Sequence, residues 1–439
     1  MPEGWAWERL TNLATFSGGK TPSTSKPEYW DGNVLWVTSK DMKKKYITTS
    51  QLQLSALGAE QMQLYYPDTL LLVTRSGILR HTLPVSILKE CATINQDLKA
   101  IVLYMPQLAE YIYVCLKGME EKILLKYTKS GTTVENVNFS EFQKILLPIA
   151  PIQEINRIIT STIKAEHIIS YIGKEKTLLT ECITKAKAKI LDLAIRGKLV
   201  PQNSDDEPAS VLLEHIRAEK EELIKQGKIK RDKKESIIFK GEDNSYYEKL
   251  PDGKENCIDE QLPFELPDGW KWCNLSMIGT TNIGLTYRPA DVDTQGIIVL
   301  RSCNIVNDEI NLTDLVRVKT SIRENQFVQK DDILICARNG SRSLVGKCAL
   351  IPEFDEKVSF GAFMAVYRTP YFNYIVHFLR SNFFRSVFDD SNSTAINQLT
   401  QDMLKRAVVP FPPLAEQLRI VDKTTEFFER LNCIEESLN

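Results

Sequence analysis

Two stretches of this chain begin alike, and the match constrains everything between them. Pro148-Ile-Ala-Pro-Ile-Gln-Glu-Ile-Asn-Arg-Ile158 is echoed by Pro410-Phe-Pro-Pro-Leu-Ala-Glu-Gln-Leu-Arg-Ile420, with Pro413 on Pro151, Glu416 on Glu154 and Arg419 on Arg157. Proline suits a first helical turn, where its missing N–H costs nothing, and an acid there meets the positive end of the helix dipole. After the first start, Ile169, Ile172, Lys176, Leu179, Ile183, Ala186, Ile190 and Leu193 alternate steps of three and four. That is an a/d seam broken by one lysine. Lys189 and Arg196, then Gly197, make the stop. Leu147–Arg196 is therefore expected to be one helix, a rod of roughly 65 Å at about 1.5 Å per residue. After the second start, Ile420, Thr424, Phe427, Leu431, Ile434 and Leu438 step in the same way. A rod with one apolar stripe needs a partner, and the repeat supplies it, packed antiparallel.

The repeat reaches far beyond the helices. Pro267-Asp-Gly-Trp-Lys-Trp-Cys-Asn-Leu275 matches Pro2-Glu-Gly-Trp-Ala-Trp-Glu-Arg-Leu10, and Asp331-Asp-Ile-Leu-Ile-Cys-Ala-Arg-Asn-Gly340 matches Asp68-Thr-Leu-Leu-Leu-Val-Thr-Arg-Ser-Gly77. Ser393-Thr-Ala-Ile-Asn-Gln-Leu399 parallels Gly131-Thr-Thr-Val-Glu-Asn-Val137. With the helix starts, four anchors recur in order at an offset of 262–265 residues, far beyond a solenoid period. This is a tandem duplication. Short β-type runs at Trp36, Thr69–Thr74 and Ala100–Tyr104, a helix at Ala109–Lys126 and another at Pro208–Gln226 give an α/β (α+β) fold. Two tandem-duplicated globular domains are expected, separated by two long antiparallel coiled-coil helices. The segments are 1–146 (globular), 147–200 (long helix), 201–265 (helix plus charged linker), 266–411 (globular) and 412–439 (distal helix). Between the anchors the copies diverge: Thr15–Ser23 set against Thr281–Pro289 shares a scaffold but not its polar tips. A kept scaffold with changed loops suggests two sites of one kind reading two targets.

Most catalytic chemistry is missing. Gly18-Gly-Lys-Thr21 tempts a phosphate-loop reading, but Ala14 stands where that motif needs glycine, and Pro22 follows where a helix should begin. There is no Gly-x-Gly-x-x-Gly, no His-Glu-x-x-His, and no Asn-Pro-Pro-aromatic tetrapeptide of the kind that grips a base for amino methylation. Of the four histidines, His81, His167, His215 and His377, the middle two sit on expected helices as surface residues. Nine cysteines are scattered without Cys-x-x-Cys, as suits buried thiols in a reducing cytoplasm. No cofactor, metal site, signal peptide or membrane span is expected, and the chain reads as cytoplasmic.

What recurs is Arg, Lys, Asn, Gln, Ser and Thr on Gly-punctuated loops at strand ends. In the first half these are Lys20, Thr21, Ser23, Ser39, Lys40, Arg75, Ser76, Arg80, Lys129, Ser130, Thr132 and Asn136. In the second they are Thr286, Tyr287, Arg288, Arg301, Asn304, Arg338, Asn339, Arg342, Asn392 and Ser393. Arg reads guanine and Asn reads adenine, while Ser, Thr and backbone N–H groups hold phosphates. Any one such loop also describes a solvated turn; recurrence at the same places in both copies raises the set. Net charge is −2, but the globular parts carry 16 basic against 14 acidic and 16 against 15 residues. Phosphate affinity from so small an excess is modest, so a helper subunit is expected.

The chain resembles the specificity subunit of type I restriction–modification systems. The matching features are the Gly-Trp-x-Trp start of each half, Gly18-Gly-Lys-Thr-Pro-Ser23 with Pro27-Glu-Tyr-Trp30, and Pro412-Pro-Leu-Ala-Glu-Gln417. Arg196-Gly-Lys-Leu-Val-Pro-Gln202 and the stretch Glu207–Lys220 complete them. Ala150 and Ile155 replace the Pro and Gln found at 412 and 417. The resemblance implies a non-catalytic subunit with two target-recognition domains, each reading one half of a split sequence in double-stranded DNA. It also implies partners: two methyltransferase (modification) subunits docked on the helices, joined by endonuclease/translocase (restriction) subunits, with no membrane. The alternatives are a fused methyltransferase–specificity chain, which would need the motifs found missing, and a coiled-coil scaffold with no DNA role.

Overall fold

The computed structural model describes residues 1–129, 134–229, 231, 235–389 and 398–438. It divides into two units, Met1–Lys174 and Glu175–Asn439.

In the first unit a five-stranded sheet runs, in spatial order, Ala14–Gly18, Leu98–Leu103, Leu70–Val73, Val85–Leu88 and Tyr46–Ile47. Leu70–Val73 is buried on both faces. One face packs the helices Ala109–Gly118 and Glu120–Tyr127 through Ile112, Leu116 and Ile123. The other packs a second sheet, in which Trp30–Val37 pairs antiparallel with Leu52–Leu54 and parallel with Ala92–Ile94. A fully apolar four-residue run is what a strand covered on both sides requires.

The second unit repeats this plan. Thr280–Ile283, Met364–Arg368, Ile333–Cys336 and Cys348–Leu350 form the first sheet in that order. Val292–Leu300 pairs antiparallel with Val316–Val318 and parallel with Val358–Phe360. Even the irregularity is shared: the long strand breaks register between Trp30 and Val34 in one copy and between Val292 and Ile297 in the other.

The motifs that revealed the duplication turn out to touch one another. Ala6–Arg9 pairs with Leu146–Ile149, setting Trp7 opposite Pro148, and Lys271–Asn274 pairs with Val408–Phe411, setting Trp272 opposite Pro410. Trp5 Nε1 donates to Glu154 Oε2 at 3.1 Å, as Trp270 Nε1 does to Glu416 Oε2 at 2.9 Å. Tyr111 and Tyr374 hydroxyls donate to the carbonyls of Pro148 and Pro410, each at 2.7 Å. Gly4 (φ +81°) and Gly269 (φ +79°) turn the chain beside Pro151 and Pro413 in a conformation that an L side chain resists. The acids at the helix starts therefore hold the residues that lead into Ala6–Arg9 and Lys271–Asn274, as well as meeting the dipole. Burial pushes the Glu416 carboxyl above its usual range, against the hydrogen bonds from Trp270 and Gln202.

The elements depart from expectation in three places, two of them helices. The long helix runs Ile152–Ile195, not from Leu147, because Leu146–Ile149 is taken up as a strand. Ala109–Lys126 is two helices, broken at Met119 behind Gly118. The expected linker after Gly227 contains an antiparallel three-stranded sheet, Ile237–Lys240, Tyr246–Lys249 and Glu255–Cys257, whose short Ile/Phe/Tyr runs are hidden among charges.

Within the second unit, the end of the long helix packs antiparallel to the distal helix, Leu414–Ser437. Lys187 Nζ meets Glu435 Oε2 at 2.7 Å, whereas Gln202, beyond the long helix, reaches Glu416, and Asp206 pairs with Arg419. Ile183 is 3% exposed, but Ile169, Ile172 and Leu179 are largely exposed.

Candidate nucleic-acid interface

In the first unit a small sheet made of Thr128–Lys129, Glu135–Val137 and Arg75–Ser76 stands at the end of the core strand Leu70–Val73. Its register places Lys129 opposite Asn136 and Asn136 opposite Arg75. Directly opposed residues share a face, and all three are exposed, so they form a cross-strand row of two cations around an amide. On the other face Ser76 opposes the buried Glu135, whose Oε1 accepts from Arg80 Nε at 3.0 Å. Arg80 is thus tied to a carboxylate, and the Ser76 hydroxyl caps the following 3-10 turn.

The turn 95–97 connects this row to the Gly-Gly loop. Thr74 donates its N–H and hydroxyl to Asp97 O, at 2.8 and 3.1 Å, while Thr21 Oγ1 donates to Gln96 Oε1 at 2.5 Å. Lys20 N–H reaches Ile94 O at 3.1 Å, and its own carbonyl accepts from Trp36 Nε1. A Cβ on Gly19 would lie 2.0 Å from Ile94 O, so that glycine is demanded by packing against the strand, not by a phosphate. Ser39 and Lys40 lie on the turn leaving Val37, whose carbonyl accepts Asn95 N–H. Thr21, and through Thr74 the row of Arg75, Asn136 and Lys129, are thus tied to one turn, while Lys20 pairs with the strand that leads into it and Ser39 and Lys40 follow the strand beside it. Ser23 lies apart, its hydroxyl paired with Ser25. Ser130 and Thr132 lie outside the described residues.

The second unit builds the equivalent place differently. Arg338 bridges to Gln398 as Arg75 does to Asn136, and Leu399 N–H reaches Ala337 O as Val137 N–H reaches Thr74 O. Ala337 and Arg338 N–H both reach Phe363 O, at 2.9 and 3.0 Å. The Arg338 guanidinium lies 5.5 Å from the Phe363 ring, which is 61% exposed. Thr286, Tyr287, Arg301, Ser302 and Phe363 line an open cleft of about 670 Å³. Here the register corrects the alignment by one residue. Gly284, under the carbonyls of Phe360 and Gly361, is the partner of Gly19 and not of Gly18.

Other second-unit candidates have structural work. Asn304, 1% exposed, donates to the carbonyls of Asn311 and Asp314 and accepts from Arg301 N–H, so its side chain is spent on its own loop. Arg301 Nη2 pairs with Asp314 at 2.9 Å. Asn339 holds Ser302 Oγ at 3.2 Å and accepts from Ser341 N–H. Arg288 and Arg342 are exposed on their loops. Asn392 and Ser393 lie outside the described residues. Sequence reasoning passed over Gln96, Phe363 and Gln398. Gln398 lies inside the repeat anchor Ser393–Leu399, whereas Phe363, between two strands, carries no polar signal.

Among the described residues, no group of three or more His, Cys, Asp or Glu is placed to hold a metal ion, and no helix is long and apolar enough to cross a membrane. All nine cysteines are free, and against the expectation of buried thiols only Cys273, Cys336 and Cys348 are buried.

The family model for the type I restriction modification DNA specificity domain matches residues 2–178 and again 268–439. A type I restriction enzyme EcoAI specificity subunit of Escherichia coli is 26% identical over 332 residues, 71% of this chain and 52% of that protein. The chain thus spans about half the length of that relative. In fold, it is similar to a chain from a structure of complex assembly and conformational transition in the type I R-M system. There the TM-score is 0.60 at 14% identity, covering 100% of this chain and 93% of the other. It is also similar to the HsdS subunit from Thermoanaerobacter tengcongensis, with TM-score 0.50, 14% identity and the same coverage. The two matched regions are the two copies found in the sequence, each running into its own helix, and the chain belongs to the family of type I restriction modification DNA specificity domains.

Proposed function

We propose that this chain is the sequence-reading subunit of a type I restriction–modification complex, recognising an asymmetric, two-part target in double-stranded DNA. The observation that carries the reading is the duplicated strand-end site: Arg75 beside Asn136 in one copy, Arg338 beside Gln398 in the other. Arginine and amide side chains in adjacent register suit the acceptor and donor patterns of the major groove. Their surroundings differ, with Lys129, Lys20 and Thr21 in one copy and Phe363, Tyr287 and Arg301 in the other, so the half-sites differ in sequence. Residues 1–146 and 266–411 are the two recognition modules. The helices Ile152–Ile195 and Leu414–Ser437 dock two methyltransferase subunits, and restriction subunits join that complex in the cytoplasm. The chain itself performs no chemistry.

The test is binding of the purified chain to duplex DNA of selected and random sequence, with and without the methyltransferase subunits. Selection of one two-part sequence is expected. Transfer of a methyl group from S-adenosylmethionine to DNA by the chain alone would revive the fused-enzyme alternative.

A further inference from the structure

The duplication provides an internal control, because a face covered in one unit can be sought bare in the other. Trp7 and Trp272 occupy the same register, opposite Pro148 and Pro410. Trp272 is 2% exposed and Trp7 is 55% exposed. In the second unit the cover comes from residues 235–265 together with Phe383, whose ring lies 6.1 Å from Trp272. The Phe264 ring lies 5.2 Å from Trp272, and Asn274 Nδ2 donates to Ser236 Oγ at 2.6 Å and to Glu248 Oε1 at 3.3 Å. The residue in Asn274's register in the first unit is Arg9, which is exposed. Leu146, beside it in the ladder, is exposed as well.

The bare face is a groove of about 400 Å³ with a distinct charge. Trp7 and Tyr127, with Met119, Ile145 and Leu146, form its apolar part, and Arg9, Lys122, Lys126 and Lys144 surround it, with Glu141 as the one acid in the lining. Glu141 is already paired with Lys144 at 2.9 Å. The segment that covers the counterpart has the opposite character. Glu255-Asn-Cys-Ile-Asp-Glu-Gln-Leu-Pro-Phe-Glu265 carries Glu255, Asp259, Glu260 and Glu265, no basic residue, and the phenylalanine that meets the tryptophan.

We infer that the Trp7 face of the first unit is a docking site for an acidic polypeptide segment bearing an aromatic side chain, presented by a partner protein. The aromatic residue packs on Trp7 as Phe264 does on Trp272, and the acids meet Lys122, Lys126 and Arg9. An exposed aromatic ringed by cations is the composition of an interface centre with a charged rim. The inference does not depend on the DNA-reading assignment, since it uses neither Arg75 nor Arg338.

The probe is a fluorescein-labelled peptide of sequence 255–265, titrated by anisotropy into the full chain. Saturable, salt-sensitive binding is expected. Trp7→Ala, the double variant Lys122→Glu with Lys126→Glu, and Phe264→Ala within the peptide should each weaken it at least about tenfold. Trp7, Lys122 and Lys126 are surface residues, and unchanged melting of each variant shows that folding is intact. No saturable binding, or binding indifferent to Trp7→Ala, overturns the inference. So does a result in which the lysine reversals leave peptide binding unchanged but weaken random-sequence duplex binding and flatten its salt dependence. That outcome makes the face a phosphate surface.

Discussion

Replacing Ile183 with Asp tests where the helical seam is closed. Ile183 is 3% exposed, one turn ahead of Lys187, whose ammonium meets Glu435 of the distal helix. Removing a fully buried isoleucine forfeits about 1.5–3 kcal/mol of burial. The introduced carboxylate adds a second cost. Its upper bound at pH 7 is the cost of protonating a group of normal pKa about 3.9, roughly 4 kcal/mol at about 1.4 kcal/mol per pH unit. The sum, up to about 5.5–7 kcal/mol, rivals the stability of a whole domain. Ile172→Asp lies on the same stripe but at a site 59% exposed, and should stay within about 0.5 kcal/mol of wild type. Urea unfolding of the free chain, with hydrogen exchange on Leu414–Ser437, reads both. Part of the Ile183→Asp loss should return as pH falls and the new carboxyl protonates. If Ile183→Asp unfolds like wild type, or Ile172→Asp costs as much, the seam is not closed where the structure closes it.

Asn304→Ala leaves the Asn311 carbonyl and the Arg301 N–H without partners and the Asp314 carbonyl with Arg301 Nη2 alone, and should cost about 2–4 kcal/mol by denaturant unfolding, with the sequence preference of binding otherwise retained. His377 is buried against Phe428, and burial, then Arg380, hold its imidazole down to about 3 from 6.5. The folded state keeps it neutral while the unfolded state takes up a proton below 6.5, so its contribution is complete above pH 6.5 and is lost between 6.5 and about 3. Linkage puts the loss at pH 5 at about 2 kcal/mol, and His377→Phe should remove that part of the pH dependence in urea unfolding.

The duplication was legible because its anchors are constrained by contact. The tryptophans, prolines and acids that recur in the sequence are the residues that clasp strand to helix, Trp5 on Glu154 and Trp270 on Glu416. The helix pattern was legible too, but not how far a partner covers it, because an a/d stripe looks the same whether its neighbour is 24 or 44 residues long. The strand at Leu146–Ile149 was hidden by a proline-rich sequence that also reads as a helix approach, and its ladder partner lies far away at Ala6–Arg9. For the candidate site, polar residues after strands located the right turns. Composition could not separate Arg75, exposed in a row, from Arg80, tied to Glu135, or from Asn304, turned inward. Phe363 was passed over because an exposed aromatic and a core aromatic are the same letter.

The most direct test of the account is to map methylated adenines in cells that carry this chain with its methyltransferase subunits, comparing wild type, Arg75→Ala and Arg338→Ala. The account predicts one two-part, non-palindromic motif for wild type. Arg75→Ala should relax one half only and Arg338→Ala the other only, each by about 1–3 kcal/mol of discrimination at the affected position. Two variants that keep the wild-type motif intact, or that lose both halves together, would contradict it.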